Sequence, residues 1–152
     1  PPELVRRYLG PAQERKSREN IAEGRQNGKP PMVFQSLDAL EAKFPAKQYE
    51  YNMEAKNLKE KDSGLKRRYI DTGINSFVSK KYENGCLLGY VLEGDLDNTV
   101  DGVNKLLKKD DRQPEFLKPK LYHLHDKYYE SEHPDDMVIR HFMFDFTTLN
   151  SA

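Results

Sequence analysis

From residue 49 to residue 56 the chain alternates strictly: Tyr49, Tyr51, Met53 and Ala55 are apolar, while Glu50, Asn52, Glu54 and Lys56 are polar. A pleated backbone sends successive side chains to opposite faces, so this period of two predicts a β-strand. A second run, MVFQSLDAL over 32–40, also reads as a strand. With a turn around Pro45 between them, the two runs are expected to pair as a hairpin. In DTGINSFVSKKY (71–82) the period changes. Ile74, Phe77 and Val78 lie at helical spacing, with Asp71 or Thr72 as the cap. CLLGYVLEG (86–94) is short and continuously apolar, as expected of a strand buried on both faces.

Leu96, Val100, Val103 and Leu107 predict a helix over 96–109. A proline-punctuated stretch (110–120) leads to strands expected over 121–129 and 137–146. Residues 1–30 are polar; a helix over 11–26 has only Ala12, Ile21 and Ala22 as its apolar stripe, and NGKPP (27–31) breaks the chain after it. This segment is expected to be an amino-terminal helical arm, and 31–152 the domain proper. LKEKDSGLKRR (58–68) reads as a solvated basic loop. The resulting order of elements predicts an α/β fold: a central mixed β-sheet of four or five strands flanked by helices on both sides. Strand 49–56, helix 71–82 and strand 86–92 make a βαβ unit whose crossover should be right-handed.

Composition narrows this picture. The 152 residues suffice for one domain with a real core, for which 9 Tyr and 7 Phe supply bulk. Lys plus Arg equals Asp plus Glu at 25 each, so attraction to nucleic acid has to come from local clusters rather than overall charge. The single cysteine, Cys86, excludes an internal disulfide and a thiolate metal site; a reducing, cytoplasmic setting is expected, with Cys86 as core. No apolar run is long enough to span a membrane, so no membrane partner is expected. The chain opens at Pro1 without a methionine, and upstream residues are expected to be missing.

The chemistry centres on Glu54 and Lys56. Residues two apart on a strand point the same way, about 6.5–7 Å from each other. A carboxylate and an ammonium so placed can share one substrate, the carboxylate holding a hard divalent cation and the lysine orienting water. A second acid is needed, for which Asp38 is the natural candidate and Glu41 the reserve; the backbone carbonyl of Ala55 could be another ligand. The competing reading is a solvated strand face with an exposed ion pair of little energetic weight, and for Asp38 an ordinary turn aspartate.

Asp38, then Glu54-x-Lys56, then a helix and a buried strand together resemble the PD-(D/E)XK nucleases, the restriction-endonuclease-like fold. YIDTGINSFVSKKY…CLLGYVLEGD is similar to a segment of bacterial proteins of this type, and SEHPDDMVIRHFMFDF to their closing Ser-x-His and His-x-x-x-Asp region, so the resemblance covers about residues 48–146. It departs at two places: no proline–aspartate pair precedes Asp38, and Ser76 stands where a basic residue is expected before Phe77. The resemblance implies Mg²⁺-dependent hydrolysis of DNA (Mn²⁺ could substitute), plausibly in defence against foreign DNA. Asp38 and Glu54 would ligate the metal and Lys56 would assist catalysis. The alternative it leaves open is a catalytically inactive nuclease-fold domain binding nucleic acid or a partner protein.

Lys59, Lys61, Lys66, Arg67 and Arg68 follow the motif where a phosphate backbone would pass, or else belong to an ordinary soluble loop. A homodimer, or a place in a larger defence complex, would suit so small a domain. His123, His125, His133 and His141 lack the spacing of a zinc site. The resemblance marks His133 and His141 as family-typical positions with a structural hydrogen-bonding role.

Overall fold

The structure, a computed structural model, describes residues 32–35 and 50–150. The expected arm (1–30), the Pro45 turn, Asp38 and Glu41 lie outside the described residues. The chain divides into two compact units: residues 1–53 with 83–85, and residues 54–82 with 86–152.

In the first unit, β1 (Met32–Gln35) pairs antiparallel with the start of β2 (Glu50–Lys59), Met32 opposite Met53 and Gln35 opposite Glu50. The two expected strands are thus neighbours. Asn52 is buried there and donates through both its backbone N–H (2.9 Å) and its side-chain amide (3.1 Å) to the Asn84 carbonyl.

The second unit is built on a mixed sheet of five strands in the order β2-β3-β6-β5-β4. β3 spans Gly85–Glu93, β4 Lys118–Pro119, β5 Tyr128–His133 and β6 Met137–Asp145. Glu60 N–H donates to Glu93 O as Asn52 N–H does to Asn84 O, so β2 and β3 run parallel. β3 is parallel to β6 (Leu87 opposite His141, Gly89 opposite Met143), while β5 lies antiparallel to both β6 and β4. Parallel neighbours need a helical crossover. Between β2 and β3 it is one continuous helical stretch: α1 (Ser63–Arg68), a π segment (Tyr69–Ile74) and α2 (Asn75–Val78).

This corrects two expectations. Residues 58–68 are not a loop: β2 runs on to Lys59, and the helix starts at Ser63 because Asp62 caps it, Oδ1 accepting from Leu65 N–H at 2.9 Å. Asp71 and Thr72 are therefore interior, not caps. The helix α3 (Leu96–Lys109) has the expected bounds and is capped by Asp95, which accepts from Asn98 N–H at 2.8 Å.

One core joins the helices to the sheet: Tyr69, Ile70, Ile74 and Phe77 from the first helical stretch, Val100, Val103 and Leu107 from α3, and Leu58, Leu87, Val91, Ile139 and Met143 from the strands. The helices described thus share one face of the sheet, where helices had been expected on both. Packing is close at one helix–sheet contact and at one contact between strands. A Cβ on Gly73 would sit 3.0 Å from Leu87 Cδ2, and one on Gly89 only 2.3 Å from Met143 Sδ, so a side chain at either position would require its buried neighbour to move. The other face carries a ladder of rings: Tyr122 on Tyr128 (centroids 4.9 Å), Tyr128 on Phe142 (5.0 Å), His125 on Phe144 (4.6 Å), and Tyr90 between Phe144 (5.7 Å) and Phe146 (5.4 Å).

The strand expected over 121–129 begins only at Tyr128; Leu121 and Leu124 are exposed in the preceding turns. His123 and His125 therefore share no strand face. No helix among the described residues is long and apolar enough to cross a membrane.

Candidate functional site

Strand β2 points Asn52, Glu54 and Lys56 inward. Leu58 is fully buried and lies on the same face as Glu54 and Lys56, whereas Ala55 and Asn57 are exposed on the other. The parity is decided by Leu58: period two then carries Lys56 and Glu54 to the helix-covered side. Their side chains are only 17% and 12% exposed, and Lys56 Nζ lies 2.5 Å from Glu54 Oε1. The solvated-face reading is thereby excluded, although the ion pair itself is present.

The second carboxylate oxygen, Oε2, accepts from Tyr82 OH at 3.2 Å. Tyr82 is held in turn: it is buried edge-on against Phe77 (5.4 Å), and its N–H donates to the Ser76 carbonyl at 3.2 Å. Ser76, where the resemblance expects a base, thus contributes through its backbone, and its hydroxyl donates to Thr72 O at 2.7 Å.

Glu54 is a hard oxygen donor of the kind Mg²⁺ prefers. Among the described residues, no three His, Cys, Asp or Glu side chains gather to hold a metal. Glu54 therefore fits as one member of an oxygen shell that the described residues do not complete. Ala55 adjoins it through the backbone only, and Asp38 is outside the described residues.

The basic residues after the motif have separate fates. Lys66 is buried, its stem beside Gly102 and its ammonium on the Glu60 carbonyl. Lys59 pairs with Glu93 at 3.0 Å and Arg67 with Asp110. Lys61 and Arg68 are exposed. They do not form one continuous cationic track.

The chain matches no known family, no curated protein and no solved structure.

A second polar constellation lies deeper. His141 Nδ1 is 2.8 Å from Tyr69 OH, and its Nε2 is 2.8 Å from Ser131 Oγ; Ser131 Oγ is also 2.6 Å from His133 Nε2. His133 Nδ1 lies 2.8 Å from Glu115 Oε2. Its N–H is poorly aligned with that oxygen, but a bare nitrogen lone pair facing a carboxylate at that distance would be repelled, so Nδ1 carries the hydrogen. Arg112 donates from Nε to Glu115 Oε1 at 2.8 Å and from Nη2 to both Glu115 and Asn75 Oδ1, the latter at 2.9 Å.

Ser131 and His141 are completely buried. Burial, reinforced by His133, pushes the His141 imidazole down to about 3, and burial lowers His133 despite Glu115. Glu115 is partly desolvated, but Arg112 and His133 hold its carboxyl below the usual range. His133 and Glu115 border a cavity of about 670 Å³ rimmed by Asp111, Glu132 and Asp136. The sequence reading marked His133 and His141; it missed Tyr69, Arg112 and Glu115. Helical spacing from Leu65 through Tyr69 and Ile70 to Gly73 was a signal available for Tyr69. Glu115 ends a short Gln113–Glu115 turn and Arg112 immediately precedes it, a stretch with no periodic signature.

Proposed function

We propose that the chain is a metal-dependent nuclease of restriction-endonuclease-like architecture, hydrolysing phosphodiester bonds in DNA. The observation that carries this reading is the inward, mutually paired Glu54 and Lys56 on β2, directly before a helical crossover to a parallel buried strand. Two opposite charges drawn from water cost stability unless something else rewards them; a substrate that uses both is such a reward.

In this reading Glu54 supplies an oxygen to a divalent cation, which when bound polarises the scissile phosphate and lowers the pKa of attacking water. Tyr82 fixes the carboxylate's orientation through Oε2. Lys56, beside Glu54 on the same face, would offer its ammonium to the negative charge that grows on the phosphate. Asp38 is the sequence candidate for the second acid, and Lys61 and Arg68 are exposed for phosphate contact.

The test is nicking of supercoiled plasmid with Mg²⁺ or Mn²⁺. Glu54→Ala, Lys56→Ala and Asp38→Ala should each lower the rate by at least about 100-fold. Equal activity in all of them would reject the assignment. A second reading is favoured by Glu54 having both oxygens already engaged: a non-catalytic nuclease-fold domain that binds nucleic acid or a partner protein. Salt-dependent retention of DNA without cleavage would select it.

A further inference from the structure

The buried chain from Tyr69 to Glu115 has only one internally consistent direction. Glu115 is an anion clamped by Arg112, so it only accepts, and His133 Nδ1 must carry a hydrogen. A neutral His133 then accepts at Nε2, which obliges Ser131 to donate to it. Having spent its one hydrogen, Ser131 accepts from His141 Nε2–H, and His141 Nδ1 accepts from Tyr69 OH. Each of these groups is nine-tenths or more buried except Glu115 and Arg112, which meet the cavity.

The far end lies at a particular place in the backbone. Tyr69 is the first residue of the π segment, and Asn75, just past its last, is held by Arg112. The polar chain therefore fastens the π segment at both ends, Tyr69 through β6 and Asn75 through the 112–115 turn. π turns are strained relative to α-helix and recur where function needs a local rearrangement.

We propose that this network is a pH-sensitive clamp: a proton taken up and kept by His133 at the cavity reverses the direction of its hydrogen bond to Ser131, and the resulting mismatch along Ser131, His141 and Tyr69 releases the π segment 69–74. With hydrogens on both nitrogens, His133 donates to Ser131 instead of accepting from it. Either the Ser131 hydrogen is left with no acceptor, or it turns to His141 Nε2. In the second case two hydrogens meet between Ser131 and His141 Nε2; the conflict is resolved when His141 gives its Nε2 hydrogen to water and takes one from water at Nδ1, and Tyr69 must then accept where it formerly donated. A buried hydroxyl hydrogen is then stranded at one end or the other, and opening the segment to water is the relief.

The groups facing His133 are Glu115 and Arg112 from the 112–115 turn, Ser131 on its own strand and His141 on β6; Asp111, Glu132 and Asp136 rim the cavity outside. Burial keeps the ring neutral at neutral pH, while Glu115 draws a proton toward it as pH falls. The proposal does not depend on the nuclease reading.

The experiment is histidine ¹⁵N NMR of the full chain with amide hydrogen exchange at about pH 7.5 and about pH 5. At neutral pH, His133 should be the Nδ1–H tautomer and His141 the Nε2–H tautomer. After correction for intrinsic rates, amides of 69–75 should exchange about tenfold faster at the lower pH, with β3 and β6 amides unchanged. His133→Gln, which cannot titrate, should remove that acceleration. Ser131→Ala should remove it while leaving His133 able to titrate. The opposite tautomers, equal acceleration in β3 and β6, no acceleration at all, or an unaltered acid response in His133→Gln would each overturn the clamp. The tautomers are read on the unmodified chain, so a variant that fails to fold leaves a decisive measurement.

Discussion

Glu54–Lys56 and the Tyr69–Glu115 chain are both polar groups turned toward the helix-covered side of one sheet, and they are satisfied in opposite ways. The pair on β2 is short and ionic: two side chains on one strand neutralise each other, with Tyr82 on the other carboxylate oxygen. The chain across β5 and β6 is long and, until Glu115, uncharged; five side chains share hydrogens in one direction and every member depends on the next. A short ion pair can exchange its partner for a cation or a phosphate without disturbing the core. A directional chain cannot lose a member without stranding another. The first arrangement suits a reaction site, and the second suits structure that must respond as a unit.

The sharpest way to break the comparison is to remove the middle of the long chain. His141→Ala should leave Tyr69 OH without a buried acceptor and Ser131 Oγ without its donor, although Ser131 keeps His133, and open a cavity, lowering unfolding stability by about 3 kcal/mol in urea titrations. A loss below about 1 kcal/mol would mean that water replaces the ring without penalty. Acid should act next. The unfolded chain binds protons at His141 and His133 near 6.5, whereas the folded chain resists, His141 down to about 3. Stability from this source is therefore complete above about pH 6.5 and falls as pH drops from there toward 3. Chemical denaturation across that window checks it, and His141→Gln should flatten the slope.

The ion pair should yield less. A double-mutant cycle on Glu54→Gln and Lys56→Met should return a coupling of about 1–2 kcal/mol, above a surface pair because both partners are largely hidden. The comparison is sharpened by an exposed control. Lys127 and Asp97 pair at 2.7 Å on the surface, and Asp97→Asn should cost no more than about 0.5 kcal/mol. Were the two pairs equal, seclusion of Glu54 would count for nothing.

Much of the scaffold was legible in the chain itself. Leu96, Val100, Val103 and Leu107 delimit α3, and the unbroken apolar run over 86–92 lies within β3, because regular burial leaves a regular period. The same rule hid three features. On β2 the apolar residues Tyr51 and Ala55 occupy the exposed face, so alternation identified the strand while leaving its orientation open. Lys66 counted as a solvated charge, yet its stem is buried and its ammonium bonds to a carbonyl; no periodicity registers that. Leu121 and Leu124 imitate a strand but project from turns. Of the candidate site, the shared face of Glu54 and Lys56 was readable from spacing. The Tyr69–Glu115 chain was readable only at its histidines, since its members come from segments more than seventy residues apart (Tyr69 and His141) and meet only after folding.

The ring ladder on the face opposite the described helices also determines how the molecule can be observed. The chain contains no tryptophan, so its ultraviolet signature belongs to tyrosine and phenylalanine. Tyr90, Tyr122 and Tyr128 are each stacked among neighbouring rings, a chiral array whose electronic transitions couple. Near-ultraviolet circular dichroism should therefore carry a contribution from the assembly of that face beside that of the buried Tyr69, Tyr82 and Tyr129, and the substitution Tyr128→Leu should remove the former alone.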